Sequence, residues 1–282
     1  MKKTRALKFD EIGYWSEIKL DIIKDYATAY SVIFNAPKQR GLQHLYIDAF
    51  AGLGVHISKS TGDLVPGSPL NALQVKPQFR EYHFIDLDSD KVANLRKIVG
   101  NRPDVHFYEG NCNSILLDRV FPRAKFEQYR RALCLLDPYG LHLDWKVIET
   151  AGRMQSIDMF LNFPIADMNR NVLWQNPEAK GIRTTDIQRL TAFWGDETWR
   201  QIAYSTTGNL FGFLEKENND SIALAFQKRL KQIAGFKYVP LPLPMRNTKG
   251  ATVYYLFFAS QKPVASDIVE SVFKKYQDRG VK

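Results

Sequence analysis

The sequence predicts a doubly wound α/β fold on a mostly parallel sheet, and three observations predict it. An apolar strand runs into an acidic residue and a Gly-x-Gly turn at Tyr46-Ile-Asp-Ala-Phe-Ala-Gly-Leu-Gly54. A second apolar run, Glu81-Tyr-His-Phe-Ile-Asp-Leu-Asp88, ends in acid roughly one βαβ unit later. Three further strand-like runs end in Gly110-Asn-Cys-Asn113, Asp137-Pro-Tyr-Gly140 and Asn162-Phe-Pro164. In an open parallel sheet the carboxyl ends of the strands face one crevice, so small, acidic and amide residues gathered there describe a ligand site.

Residues 10–34 read as a helix, because Trp15, Ile18, Ile22, Tyr26 and Tyr30 recur at helical spacing. It forms an N-terminal helical extension over residues 1–40. After strand one, Gly52 and Gly54 permit a tight turn and let the backbone pass close to a ligand. Ile57 stands where a dinucleotide fingerprint has its third glycine, which argues against a pyrophosphate cofactor and an NAD-dependent oxidoreductase. Residues 55–69 carry Gly62, Pro66, Gly67 and Pro69 and read as a loop. Ser68 is placed to cap the next helix, with Pro69 in its first turn.

Strands three, four and five are expected over Val105–Tyr108, Ala132–Leu136 and Ile157–Leu161. Between Val172 and Glu217 the tryptophans Trp174, Trp194 and Trp199 and the scarcity of strand pattern predict inserted helices, a cap over residues 172–220. Phe236–Leu243 and Ala251–Ser260 fit an antiparallel pair that closes the sheet. Prolines 240, 242 and 244 put the first of that pair near an edge or a bulge. No internal repeat interrupts the 282 residues, which read as a single domain with an inserted helical cap.

With 45% hydrophobic residues the chain can bury a sizeable core, yet no apolar run reaches the roughly 18–20 residues of a membrane helix. The basic segment Met1–Lys8 lacks the apolar stretch of a secretory signal, so a cytoplasmic location and no membrane partner are expected. Two cysteines, Cys112 and Cys134, make no disulfide framework, and the five histidines lack metal-ligand spacing, so no metal is expected. The formal net charge is +9, and residues 221–282 hold 11 Lys/Arg against 3 Asp/Glu. That excess suits a nucleic-acid partner, DNA or RNA, and equally a solvated basic face.

Asp48 with its glycine turn, the acid after strand two, the amide after strand three and Asp-Pro-Tyr after strand four resemble a class I S-adenosylmethionine-dependent methyltransferase, a Rossmann-like sheet with an antiparallel last strand. Four segments carry a closer resemblance: Asp48-Ala-Phe-Ala-Gly-Leu-Gly54, Pro66-Gly-Ser-Pro69, Leu136-Asp-Pro-Tyr-Gly140, and Asn162-Phe-Pro164 with Asn169-Arg170. Together they are similar to the three-Cys-motif partner proteins (TcmP). The likeness runs from about Trp15 to the C-terminal strands and is densest between Tyr46 and Arg170.

The resemblance implies S-adenosyl-L-methionine as cofactor. Asp48, Phe50, Gly52 and Gly54 then suit its amino-acid end, and Asp86 its ribose. Asp88 competes for the ribose, since strand alternation puts both acids on one face. Asn111 and Cys112 suit the adenine, and Lys19, in the segment Trp15–Lys19, either approaches the cofactor carboxylate or is a surface lysine. In base amino-methyltransferases the loop after strand four reads Asp/Asn-Pro-Pro-Tyr; here the second proline is absent and the tyrosine stands one position early. By that analogy Asp137 and Tyr139 are the catalytic pair, with Pro138, Asn162, Pro164, Asn169 and Arg170 on the substrate. The expected activity is methyl transfer to an amino group of a nucleic-acid base. The alternative is a cofactor-binding or inactive accessory subunit beside a three-Cys-motif partner in a nucleic-acid modification or defence system.

Overall fold

A computed structural model describes residues 9–176, 181–206, 214–247 and 249–277. The first eight residues of the expected N-terminal extension and parts of the expected insert lie outside them. The chain divides into two units, Met1–Leu136 with Asp267–Lys282, and Asp137–Ser266. The main sheet has seven strands, mostly parallel, in the α/β arrangement expected of a Rossmann-like methyltransferase fold.

In the first unit the strands β1 (Gln43–Asp48), β2 (Glu81–Asp86), β3 (Val105–Glu109) and β4 (Arg130–Leu136) lie in the order β4-β1-β2-β3. All three pairings are parallel, with Asp48 beside Phe84 and Leu135. Their apolar residues are buried on both faces: Leu45, Tyr46, Ile47, Leu133 and Cys134 have essentially no exposure. Helix α1 (Tyr14–Phe34) buries Ile18, Ile22, Tyr26 and Tyr30 of the stripe read from the sequence and Ile23 beside them, whereas Trp15 is only half-buried. Each buried side chain contributes on the order of 1.5–3 kcal/mol by leaving water. The C-terminal helix Pro263–Gln277 is tied to α1 by Lys275 Nζ and Tyr276 Oη, which donate to Asp25 Oδ2 at 2.6 and 3.0 Å.

Three local expectations are corrected. The helix starts at Tyr14, not residue 10, because Glu11–Ile12 pairs as a short strand with Ile57–Ser58. Residues 55–69 are not an open loop. Val55–Ser58 and Leu64–Pro66 form a hairpin turned at Gly62, since their β-branched and leucine side chains favour extended backbone. The cap of α2 (Ser68–Gln74) is Gly67 rather than Ser68, and Pro69 sits in the first turn as expected.

Glu81, Arg123 and Arg130 form an ion cluster beside the buried His83. Burial raises the Glu81 carboxyl, but bonds from His83, Arg123 and Arg130 outweigh it and hold the group below the carboxylate range. Glu81 and Arg130 open their strands, so this cluster lies at the amino ends, the end of a parallel sheet that does not bind ligands.

In the second unit β5 (Ile157–Phe163), β6 (Leu243–Arg246) and β7 (Thr252–Ala259) run in the order β6-β7-β5, both pairings antiparallel. The reversed final strand is as expected. Strand β6 starts at Leu243 rather than near Phe236, because Pro240 and Pro242 have no N–H for the ladder. Only a bridge, Tyr238 to Ser260, remains of the earlier stretch. As expected, β6 is an edge strand with a bulge, between Met245 and Arg246.

The helices of this unit are α4 (Trp145–Met154), α5 (Ile165–Asn171), α6 (Thr184–Trp194), α7 (Trp199–Ala203) and α8 (Asn219–Gln232). The stretch expected as an insert holds α6 and α7, and after them the short antiparallel strand pair Tyr204–Ser205 and Glu215–Lys216. Arg229 of α8 holds this assembly together: its Nε donates to the Trp194 carbonyl at 2.7 Å, Nη2 meets Asp196 Oδ2 at 2.5 Å, and its guanidinium lies 4.8 Å from the Trp145 ring centroid.

Candidate functional site

The carboxyl ends of the parallel strands in the first unit are bound to one another through the backbone. Ala51 N–H donates to the Ile85 carbonyl at 2.8 Å, and Gly110 N–H to the Asp86 carbonyl at 3.0 Å. Gly52, at φ +63°, occupies the left-handed region that glycine tolerates. Its N–H donates to Asp86 Oδ2 at 2.8 Å, and Asp88 N–H donates to Asp86 Oδ1 at 2.9 Å. One carboxylate therefore fixes both the glycine turn and the start of α3 (Ser89–Val99).

A Cβ added at Gly52 would meet no atom of the described residues within 4 Å. Open space at a left-handed glycine is what a close-lying ligand needs. Gly54, at φ +84°, serves a different end: a Cβ there would stand 2.6 Å from Leu95 Cδ1, and its carbonyl accepts from Gly67 N–H at 2.8 Å. The Pro66-Gly-Ser-Pro69 segment thus carries its glycine because Gly67 abuts the Gly54 carbonyl, which would lie 3.1 Å from any Cβ on it.

Asp48 is fully buried, and its Oδ1 accepts from Phe50 N–H at 3.2 Å, shaping the turn from within. Asp88 is not part of β2. It caps α3, accepting from the N–H groups of Asp90 and Lys91 at 2.9 and 3.4 Å. Strand alternation therefore does not apply to it, and Asp86 alone ends the strand. Asn111 is also a cap: its Oδ1 accepts from Asn113 N–H at 2.8 Å at the head of the one-turn helix Cys112–Ile115. Cys112 is buried, as is Cys134, whose thiol is pushed up by burial. Lys19 is buried as well, at 7% exposure, which overturns the surface-lysine alternative.

In the second unit the segment after Leu136 brings Asp137 to a half-buried position, buries Pro138 and leaves Tyr139 73% exposed. Asn162 Nδ2 donates to the Pro138 carbonyl at 3.2 Å. Among the described residues its own Oδ1 is buried without a hydrogen-bond partner, as is that of Asn169, whose Nδ2 meets Asn219 Oδ1 at 3.0 Å. Pro164 starts α5, accepting Asp167 and Met168 N–H groups through its carbonyl. Arg170 is exposed, and its carbonyl accepts from Trp174 Nε1 at 2.9 Å.

Tyr139 lines a cleft of about 140 Å³ with four charged residues that the sequence reading passed over: Asp167, Arg183, Asp186 and Arg189. Arg183 Nε donates to Asp186 Oδ2 at 2.7 Å, and Arg189 Nη1 lies 3.6 Å from Asp186 Oδ1. Asp167 Oδ1 accepts from Asn171 Nδ2 at 2.9 Å. The signal was present as Arg183-Thr-Thr-Asp186-Ile-Gln-Arg189, an acid flanked by bases one helical turn away on each side. Among the described residues no cluster of His, Cys, Asp and Glu could hold a metal ion, and no helix is long and apolar enough to cross a membrane.

No family model matches the chain, and no curated protein matches it. Several solved structures are similar in fold at low identity. A Legionella pneumophila protein of the DUF519 family is 10% identical, with a TM-score of 0.46 over 93% of this chain and 94% of that one. An S-adenosylmethionine-dependent methyltransferase from Mesorhizobium loti is 12% identical, with a TM-score of 0.36 over 83% and 97%. The DszA carbon methyltransferase is 14% identical, with a TM-score of 0.41 over 86% of this chain and 54% of that one. The chemistry of the site has to be read from its own residues.

Proposed function

We propose that this chain is an S-adenosylmethionine-dependent methyltransferase acting on an amino group of a nucleic-acid base. One observation carries the cofactor assignment: the left-handed Gly52 with open space where a Cβ would stand, its N–H held by the Asp86 carboxylate at the end of β2. Asp86 retains lone pairs for ribose hydroxyls, and the uncrowded Gly52 leaves room for an amino-acid moiety to lie against the backbone. When bound, the cofactor supplies a methyl group on a positively charged sulfonium. Transfer of that group demands alignment more than acid-base chemistry, so the residues of this chain serve to position and desolvate.

The segment Asp137-Pro-Tyr139 supports an amine acceptor. Asp137 offers a carboxylate to an N–H, and the exposed Tyr139 ring offers a stacking face of the kind that recognises unpaired bases. A second reading, an accessory subunit beside a three-Cys-motif protein, is favoured by one observation. The Pro138 carbonyl, the counterpart of the group that receives the amine in related loops, already accepts from Asn162.

Calorimetry with S-adenosylmethionine and with NAD tests the cofactor, and tritiated methyl transfer into mixed DNA and RNA tests the reaction. Cofactor heat with label incorporation supports the enzyme. Cofactor heat without incorporation supports the accessory reading, and no heat with S-adenosylmethionine removes both cofactor-binding readings.

A further inference from the structure

The cleft beside Tyr139 is built in a way that helix stability does not explain. Arg183 is the N-terminal cap position of α6, where the positive end of the helix dipole disfavours a cation, and Arg189 lies in the second turn. Asp186 offsets this only in part, as one carboxylate for two guanidiniums. It is inward-facing, with a side chain 6% exposed, while the side chains of Arg183 and Arg189 are 70% and 53% exposed. The buried acid thus meets two guanidiniums on largely exposed side chains. Arg183 gives Asp186 its Nε and, among the described residues, keeps both terminal nitrogens, the pair that matches a phosphate in a bidentate contact.

The cleft is also lined by a second carboxylate. Asp167 lies so close to the segment after Pro138 that a Cβ at Gly140 would be 2.9 Å from its Oδ2, which explains a glycine there although its φ is not left-handed. Asn171 holds Oδ1, so Asp167 is fixed with an acceptor on the Tyr139 side of the cleft. An aromatic face, a carboxylate acceptor and an anion-binding pair in one cleft match one ligand chemistry: a planar ring bearing an amine, joined to a phosphate.

We propose that this cleft is a nucleotide subsite for the methyl acceptor. Tyr139 stacks on the base, Asp167 accepts from its exocyclic amine, and Arg183 with Arg189, held by Asp186, binds the adjoining phosphate. The assignment rests on the proposed methyl transfer to a base. It adds Asp167, Arg183 and Arg189 as substrate-binding residues, with Asp186 as a positioning residue. The phosphate belongs either to a free nucleotide or to a nucleic-acid strand.

The test is calorimetry on the full chain with cytidine, cytidine 5′-monophosphate, uridine 5′-monophosphate and a short oligocytidylate, with S-adenosylhomocysteine present to block the cofactor crevice. The S-adenosylhomocysteine titration, read first, reports on the cofactor assignment alone. Cytidine 5′-monophosphate should bind at least tenfold tighter than cytidine, and Arg189→Ala should remove that margin while leaving cytidine affinity within threefold. Arg189→Ala keeps the Arg183–Asp186 bond, and an unchanged melting curve confirms that it folds. Asp167→Ala should abolish the preference for cytidine over uridine monophosphate. A further gain with the oligonucleotide assigns the phosphate to a strand, and no gain assigns it to a free nucleotide. Equal affinity for cytidine and its monophosphate, no binding of any of these probes, or an Arg189→Ala loss that falls on cytidine equally, overturns the proposal.

Discussion

Replacing each glycine of the Asp48–Gly54 turn by alanine separates binding from folding, because the two positions differ in what surrounds them. At Gly52 the added methyl meets no atom of the described residues within 4 Å, so its cost to the fold is the left-handed backbone alone, about 1–2 kcal/mol. At Gly54 the same backbone cost is joined by a contact of 2.6 Å with Leu95 Cδ1, in a side chain only 1% exposed. Overpacking of that kind adds about 1–3 kcal/mol. Thermal melts should therefore show Gly54→Ala losing roughly twice the stability of Gly52→Ala. Calorimetry with S-adenosylmethionine should rank them the other way. The Gly52 methyl fills the space assigned to the cofactor and should weaken binding at least tenfold, about 1.4 kcal/mol. Wild-type affinity in Gly52→Ala, or affinity losses in both variants that simply follow their melting temperatures, would refute the placement of the cofactor against this turn.

Asp86→Ala frees the N–H groups of Gly52 and Asp88 together and should weaken the cofactor by on the order of 1–3 kcal/mol, measured by calorimetry. Asp86→Asn, with one acceptor oxygen for two donors, should fall between alanine and wild type. Asp137→Ala should abolish methyl transfer while leaving cofactor affinity within about threefold; a destabilised variant that still methylates at the wild-type rate would reduce Asp137 to a turn cap. His44, buried beside Ser31 and Asn35, has its pKa lowered from 6.5 to about 4 by burial. The unfolded chain then binds more protons between those values, so the contribution is complete above pH 6.5 and lost as pH falls to about 4, on the order of 3 kcal/mol. Denaturant melts across that window should show His44→Gln with a shallower slope than wild type, and identical slopes would contradict it.

The strands and the crevice ends were legible because a buried parallel strand is a short unbroken apolar run, and its end is marked by the first acid, amide or glycine. Asp48 and Asp86 stand at the ends of their strands and Asp137 directly after its strand, as that pattern predicts. The hairpin at Val55–Pro66 was missed because the turn residues Gly62, Pro66 and Gly67 dominate a pattern whose strands span only four and three residues. Asp88 and Asn111, expected as ligand groups at strand ends, each sit one step further on and cap the helix that follows. Acids and amides serve both purposes, and sequence spacing does not separate them. Asp167 was beyond reach for another reason: its nearness to Gly140 arises from tertiary packing across 27 residues of chain. Arg183, Asp186 and Arg189 were within reach of i, i+3 spacing, but nothing local said that Tyr139 would stand beside them.

Arg229 changes what the basic C-terminal segment can mean. Its side chain is only 10% exposed, lodged against Trp145 and Trp194 and committed to Asp196. A charge counted from composition as a potential phosphate contact is therefore structural mortar, mute in any salt titration. Lys275, by contrast, remains half-exposed in its ion pair with Asp25. The useful positive surface of that segment is smaller than its arithmetic, and the packing is close enough that a Cβ at Gly195 would stand 2.5 Å from the Trp145 ring and 3.0 Å from Arg229 Nη2.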